Sequence, residues 1–188
     1  MATVDLFAIG NALIDQEFHV SDDFLIQHSL QKGTMQLTDG ETQANLYNNL
    51  IKTQRHKGQA SGGSAANTTV AFSALGGQAF YACRVGNDDL GDIYLKGLNE
   101  AGIYTTTKSV SEGDDSERTM HTYLGITAEL SATQIDFDPL KTAKWLYIEG
   151  YLSTSDTARA AVKQAREIAK ANQVKIALTL SDPAMVQY

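Results

Sequence analysis

The sequence predicts an α/β fold in which a mostly parallel sheet is flanked by helices. Short apolar runs of strand length recur along the chain, at residues 4–9, 79–85, 145–148 and 175–180. Segments with helical spacing of apolar residues lie between them, and the clearest of these spans residues 155–170. Strands that alternate with helices are typical of parallel sheets covered by helices. Shorter, two-faced strands between these elements predict a second, smaller β sheet.

Composition limits the classes of function. The chain has 188 residues, a net charge of −7 and no basic run, so we do not expect nucleic acid as a partner. No apolar stretch approaches the roughly 18 residues that a membrane span needs, and the start of the chain lacks a basic signal-peptide segment. Cys83 is the only cysteine, which excludes an intrachain disulfide. These observations predict a globular, cytoplasmic protein with no membrane partner.

The first third of the chain contains one buried strand and several polar elements. Residues 4–9 form an apolar run that ends at Gly10-Asn11, as expected of a parallel strand. The capping-box spacing from Thr38 to Glu41 predicts the start of a helix. A basic cluster follows this helix, and we interpret it as the exposed helix end, where cations suit the dipole. The cluster consists of Arg55, His56 and Lys57.

The stretch SGGSAANTTVAFSALGG, residues 61–77, predicts a glycine loop followed by a helix. Gly62 and Gly63 permit positive φ and let the backbone approach a ligand closely. The first N–H groups of such a helix suit hydroxyl, carboxylate or phosphate oxygens. Asn67, one turn into the helix, can donate and accept hydrogen bonds at the same place. A turn with a helix cap is the alternative, which a bare Gly-Gly-Ser would favour.

The remaining elements alternate between core and surface. Residues 90–101 predict a helix that ends at Gly102, and Ser131 to Gln134 has capping-box spacing. Asp88 and Asp89 are interpreted as carboxylates at a helix N-terminus rather than metal ligands. The four histidines show no metal-ligand spacing, so no metal site is predicted. The strands that predict the smaller sheet are residues 16–20, 33–37, 103–110 and 118–124.

Several spaced motifs resemble one family of enzymes. These motifs are GNALID at 10–15, GGSAANT at 62–68, ALGG at 74–77, RVGND at 84–88 and ERTM at 117–120. Together they look like the N-terminal signature of the ribokinase-like (PfkB-type) carbohydrate kinases, in the adenosine-kinase-like branch. The resemblance covers nearly all of the chain. It implies phosphoryl transfer from ATP to a sugar hydroxyl, with ATP and Mg²⁺ as cofactors and K⁺ as a further candidate.

The resemblance also implies a substrate site at strand ends and one helix start. Asp15 follows the first strand, and the equivalent aspartate of the family binds two sugar hydroxyls with its two acceptor oxygens. Glu149 follows the strand at 145–148, at the same edge of the sheet, where some sugar kinases carry a substrate-binding glutamate. Arg118 either points into the site or pairs with Glu117 or Asp115 at the surface. The predicted substrate-binding residues are Asn11, Asp15, Gly62, Gly63, Asn67, Arg118 and Glu149.

The same resemblance divides the chain into a core and a lid. The predicted α/β core comprises residues 1–12, 40–102 and 126–188, and the predicted β lid comprises residues 13–39 and 103–125. In the family the lid covers the sugar. Because sheets with exposed edges can pair between subunits, a homodimer through the lid is a predicted assembly.

The family's phosphoryl-handling motifs are absent from these 188 residues. The missing motifs are Asp-Thr-x-Gly-Ala-Gly-Asp, which supplies the base and the anion hole, and the magnesium-linked Asn-x-x-Glu. The sequence therefore predicts the N-terminal, substrate-binding part of a kinase for a ribose-type sugar or nucleoside, inactive by itself and without a catalytic residue. Fructose and a 2-keto sugar acid are alternative substrates. A non-catalytic sugar- or nucleoside-binding module is the alternative function.

Overall fold

The computed structural model describes residues 4–33, 36–108, 117–118, 121–122, 124–181 and 185, and its strands form two sheets. The strands are β1 Leu6–Ile9, β2 Leu13–His19, β3 Gln36–Leu37, β4 Arg55–Gly62, β5 Ala79–Ala82, β6 Glu117–Arg118, β7 His121–Thr122, β8 Trp145–Glu149 and β9 Lys175–Thr179. The α-helices are α1 Asp22–Gln27, α2 Gly40–Thr53, α3 Ser64–Ala74, α4 Asp89–Glu100 and α5 Asp156–Ala171. In this part of the chain, no helix combines the length and apolarity that a membrane span requires.

Four parallel strands in the order β5-β1-β8-β9 form the central sheet. Leu6 at the start of β1 lies beside Ala79 on one side and Trp145 on the other. Each strand coincides with one of the apolar runs that predicted it. All four residues of β1 are buried, because helices cover both faces of a central parallel strand. The predicted α/β class, with a mostly parallel sheet, is confirmed.

The side chains of β1 alternate between two hydrophobic cores. Phe7 and Ile9 pack in one core with the row of buried alanines on α5. Ala8 packs in the other core with Ala65 of α3 and Tyr94 of α4. Small side chains on α3 and α5 let both helices approach the sheet closely, so the start of α3 is held near the carboxyl end of β1.

The second sheet has the strand order β3-β7-β6-β2-β4. Strands β2 and β4 are antiparallel, from Leu13 opposite Gly62 to His19 opposite Arg55. Strand β6 runs parallel to β2 on its other side. A small β sheet apart from the parallel core was predicted, and the structure contains one, with two differences in its strands.

The first difference is β4. The sequence analysis placed Arg55, His56 and Lys57 at a helix end, and this was wrong, because α2 ends at Thr53 and these residues begin a strand. Most side chains of β4 are exposed, and the strand is held by backbone pairing with β2. Such a strand lacks the hydrophobic alternation by which strands are recognised. Residues 55–62 were predicted in the core but belong to the second sheet.

The second difference concerns residues 103–110, which were predicted as a strand of the small sheet. Tyr104 instead forms a parallel bridge with Phe80 at the edge of the central sheet. Its carbonyl accepts from Tyr81 N at 2.9 Å, and its N–H donates to Ala79 O at 2.9 Å. Ile103 is buried in the core beside α4, which directs the segment to this sheet. Residues 109 and 110 lie outside the described residues.

The helix starts follow local capping chemistry. Asp39, one residue after the predicted Thr38, caps α2 by accepting from Thr42 N, and Asp88 caps α4 by accepting from Gly91 N. Of Ser155 and Asp156, the two residues predicted as possible caps of α5, the structure shows that Ser155 is the cap. A capping box is also present at Ser131, as its spacing predicted. Helix α1 was not predicted, because its segment is short and polar.

The alanine row of α5 allows a test of this packing. Ala165 is fully buried against the central sheet, so Ala165→Leu inserts extra atoms into a filled space. We expect the free energy of unfolding to fall by about 1–3 kcal/mol, the usual effect of overpacking, as measured by urea denaturation. Gln164→Leu, at an exposed position on the same helix, is the control and should change it by less than about 0.5 kcal/mol. Equal effects of the two substitutions would contradict the packing.

Candidate functional site

Two backbone junctions meet at the carboxyl end of the central sheet. The chain leaves β1 at Ile9 and enters β2 at Leu13, and it leaves β4 at Gly62 and enters α3 at Ser64. Leu13 pairs with Gly62, so both junctions lie side by side. In open α/β sheets, ligands bind at this end of the strands. The predicted residues Asn11, Asp15, Gly62 and Gly63 are brought together here.

Asp15 lies directly against Gly62. A Cβ atom built on Gly62 would lie 2.5 Å from Oδ2 and 2.9 Å from Oδ1 of this carboxylate. Any side chain at position 62 would therefore displace it. The sequence placed Asp15 just beyond the first strand of the core; the structure places it within β2, opposite Ala60 in the second sheet. The carboxylate is half-buried, so it lies at the surface of the junction.

Gly63 is the N-cap residue of α3 and has a φ of +107°, which only glycine adopts without strain. A Cβ atom here would lie 2.6 Å from the carbonyl oxygen of Asn11. The loop therefore requires glycine for two independent reasons. Asn67 lies one turn further on, where its N–H donates to Gly63 O at 2.9 Å, and it is exposed. The predicted glycine loop and helix are both present.

Asn11 is held on three sides by other parts of the fold. Its backbone N–H donates to Glu149 Oε2 at 2.7 Å, and its carbonyl accepts from the Tyr81 hydroxyl at 2.9 Å. Its side-chain Oδ1 accepts from the Thr127 hydroxyl at 3.4 Å. That hydroxyl oxygen also accepts from Ala12 N at 2.9 Å. Only 2% of Asn11 is exposed, so this residue is part of the wall of the site.

Glu149 is the last residue of β8, at the strand end where the sequence placed it. Its carboxylate is 1% exposed. Oε2 accepts from Asn11 N, and Oε1 accepts from Ala65 N at 3.0 Å. Both carboxylate oxygens thus bind backbone amides of the protein itself. The structure brings Glu149 to the junction but buries it there.

Arg118 lies beside Asp15 in the backbone register of β6 and β2. Its side chain is outside the described residues, so its predicted role stays a prediction. Thr119 and Met120 of the ERTM motif lie outside the described residues altogether.

Two tyrosines complete the junction, and sequence reasoning missed both. Tyr81 donates to Asn11 O, and Tyr94 of α4 donates to Gly62 O at 3.1 Å. Burial, with smaller effects of neighbouring charges, raises the pKa of each phenol well above its ordinary value, so both remain donors at neutral pH. Their rings occupy core positions, and only their hydroxyls contact the backbone of the site. Thr127, in the 3₁₀ helix Gly125–Glu129, was also missed.

A cavity of about 460 Å³ lies elsewhere, between β2, α1 and α2. Phe18, Phe24 and Leu50 contribute to its apolar lining. Asn11, Asp15, Gly62, Gly63 and Asn67 are not among its lining residues. The candidate site is therefore the junction of the sheets, where the chemistry-bearing groups converge, and not this cavity.

The sequence profile of the pfkB family carbohydrate kinases matches residues 34–187. The chain belongs to this family. It is 26% identical to adenosine kinase of Saccharomyces cerevisiae over 96% of the chain, and 27% identical to probable fructokinase-4 of Arabidopsis thaliana over 60% of the chain. The structure of adenosine kinase from Sinorhizobium meliloti matches 99% of the chain with a TM-score of 0.89 and 33% identity. The resemblance and the ribokinase-like fold are confirmed.

The chain matches little more than half the length of the two adenosine kinases and a smaller share of the fructokinase. It covers 57% of the yeast adenosine kinase, 38% of the fructokinase and 59% of the Sinorhizobium chain.

The kinase family implies the use of ATP and Mg²⁺, and Mg²⁺ requires oxygen ligands from the protein or the substrate. Among the described residues, no group of three His, Cys, Asp or Glu side chains could hold a metal ion. The buried Cys83 thiol has its pKa raised to about 12 by burial, so it is no thiolate ligand. The described residues therefore offer no cluster of side chains that fits a metal ion.

The two reasons for glycine at position 63 can be separated. Gly76 also has a positive φ, +91°, but a Cβ there would meet nothing within 4 Å. Gly76→Ala should lower the free energy of unfolding by about 1–3 kcal/mol, the usual cost of a strained backbone. Gly63→Ala should cost more, because its Cβ would also collide with Asn11 O. Urea denaturation of both variants checks this, and a cost for Gly63→Ala no larger than that for Gly76→Ala would contradict the close approach.

Proposed function

We propose that this chain is the substrate-binding part of a kinase that transfers the γ-phosphoryl group of ATP to a hydroxyl of a ribose-type sugar or nucleoside. The observation that carries the proposal is the Asp15 carboxylate, fixed against Gly62 beside the glycine loop. An ionised carboxylate only accepts hydrogen bonds, and its two oxygens suit two neighbouring hydroxyls of one sugar ring. The half-buried position leaves this group at the surface of the junction.

The neighbouring backbone supports the same ligand chemistry. Gly62 and Gly63 carry no side chains, so a sugar ring can approach the main chain at this place. Asn67, exposed one turn into α3, supplies a side chain that both donates and accepts. Under this proposal, Asp15 and Asn67 bind the sugar and the glycines provide the space.

The second sheet has a role in the proposal as a lid. Asp15 lies in β2, so the sheet that would cover the sugar also carries its proposed anchor. Closure of a lid excludes water from a site and strengthens the electrostatic interactions inside it. The adenosine kinases among the relatives favour a nucleoside, and the fructokinase makes fructose the competing substrate.

Removal of the Asp15 carboxylate tests the proposed anchor. Asp15→Ala should weaken adenosine binding by about 1–3 kcal/mol, because sugar hydroxyls buried in the site lose their acceptor. Isothermal titration calorimetry of the 188-residue chain with adenosine, ribose and fructose measures this. Glu167→Ala, which removes an exposed carboxylate on α5, is the control for net charge and should leave affinity unchanged.

Two outcomes would count against the proposal. Unchanged adenosine affinity in Asp15→Ala would remove this residue from the site. Binding of fructose in preference to adenosine and ribose would replace the nucleoside with a ketose as the substrate class.

The second expectation is that the chain binds substrate without transferring phosphoryl. Loss of one stabilising donor in such a site commonly lowers the rate by about 10²–10³, and the family's base and anion-hole motif are both absent from the sequence. A sample that binds adenosine should therefore form no ATP-dependent product with ATP and Mg²⁺. An active adenosine kinase in the same assay is the control. Turnover near the 1–100 s⁻¹ that is roughly typical of kinases would show that the transfer site lies within this chain.

A further inference from the structure

Helix α3 begins without a cap of its own. Helices α2, α4 and α5 each start at a residue whose side chain accepts from a backbone N–H of the first turn, namely Asp39, Asp88 and Ser155. Helix α3 starts at Gly63, which has no side chain to do this. The close approach of Gly63 to Asn11 O requires glycine there. The first N–H groups of α3 therefore need an acceptor from elsewhere.

Glu149 supplies that acceptor from a distant part of the chain. Its Oε1 accepts from Ala65 N, 84 residues away, and its Oε2 accepts from Asn11 N, 138 residues away. A carboxylate is stabilised near a helix N-terminus by the dipole, and hydrogen bonds to a charged acceptor are short and strong. The distance of 2.7 Å to Asn11 N agrees with such a bond.

Other buried groups lie close to the Glu149 carboxylate. A Cβ atom on Gly10 would lie 2.9 Å from Glu149 Oε2, 2.8 Å from the Tyr81 hydroxyl and 2.7 Å from Ala65 Cβ. Glu149 therefore lies within a close-packed group, whereas Asp15 is half-buried at the surface of the junction. This arrangement differs from the substrate-binding role that the sequence predicted for Glu149.

We propose that Glu149 is a positioning residue that joins the turn at Asn11 to the start of α3. Its two hydrogen bonds fix the spacing between these backbone segments, and so the position of Gly62 and Gly63 relative to Asp15. The expected effect of Glu149 on substrate affinity rests on the proposed function, whereas its two hydrogen bonds are independent of that function. Glutamine is a poor replacement, because the two N–H donors bind different carboxylate oxygens and the NH₂ group of glutamine would face one of them. Aspartate is one methylene shorter and does not reach both amides.

The first measurement needs no ligand. In the isotope-labelled chain, NMR should detect coupling through the hydrogen bonds from the amide nitrogens of Asn11 and Ala65 to the Glu149 carboxylate carbon. In Glu149→Gln, the amide proton resonance of at least one of these residues should shift upfield. That proton should also exchange with solvent about tenfold faster or more. The matched control is Glu167→Gln, which makes the same change at an exposed position. It should leave the chemical shifts and the exchange rates of both amide protons unchanged.

The second measurement separates positioning from direct contact with the sugar. Adenosine, 2′-deoxyadenosine and 3′-deoxyadenosine are titrated into the wild-type chain and Glu149→Gln. A positioning residue acts on the whole loop, so the variant should lose affinity for all three ligands by a similar factor, about tenfold, the size expected for a lost charge-assisted hydrogen bond. A direct contact would instead produce a loss that disappears for the analogue lacking the contacted hydroxyl.

The outcomes distinguish this inference from the proposed function. Absence of coupling from both amides in the wild-type chain, or amides unaffected in Glu149→Gln, would overturn the positioning role. An affinity loss confined to ligands that carry one particular hydroxyl would also overturn it. If the wild-type chain binds none of the three nucleosides, the proposed function fails, and the NMR measurement alone decides the role of Glu149. If Glu149→Gln does not fold, the wild-type coupling decides it.

Discussion

A single buried carboxylate fixes the geometry of the junction. Glu149 at the end of β8 is almost fully removed from water, and an ion in such a place is costly unless donors surround it. The donors are Asn11 N after β1 and Ala65 N at the start of α3. Three elements far apart in sequence must therefore converge on one group. If any of them moves away, a buried charge or a buried N–H loses its partner, so the arrangement is held as a unit.

The glycines and alanines near this carboxylate follow from the same convergence. Gly10 lies against Ala65, Tyr81 and Glu149, and Gly63 lies against Asn11 O, with no room for a side chain at either position. Ala65 is fully buried on the face of α3 that meets the sheet. Small residues are needed because a side chain at position 10 would collide with the side chains of Ala65, Tyr81 and Glu149, and one at position 63 with the backbone oxygen of Asn11. The glycine loop is thus required by the packing of the fold, whatever ligand the junction binds.

Much of this arrangement could be predicted from the sequence, and the exceptions have physical causes. Apolar runs revealed the central strands, and a glycine loop with a small-residue helix placed Gly62 and Gly63 correctly. Strand β4 was missed because it is polar and held by backbone pairing, which leaves no hydrophobic pattern. Tyr81 and Tyr94 were missed because a buried tyrosine resembles any other core aromatic until its hydroxyl partner is known. Glu149 was found by its place at a strand end, but its burial depends on contacts that no local pattern encodes.

The junction also limits how the second sheet can move. Strands β2 and β4 leave the core at Ala12 and Gly62, where Thr127 and Tyr94 hydrogen-bond their backbones. The far part of β2 is also packed, because Phe18 contacts Tyr47 of α2. Asp15 lies only three residues beyond Ala12. Under the proposed lid role, a carboxylate so close to the junction keeps its place beside the glycine loop when the sheet moves.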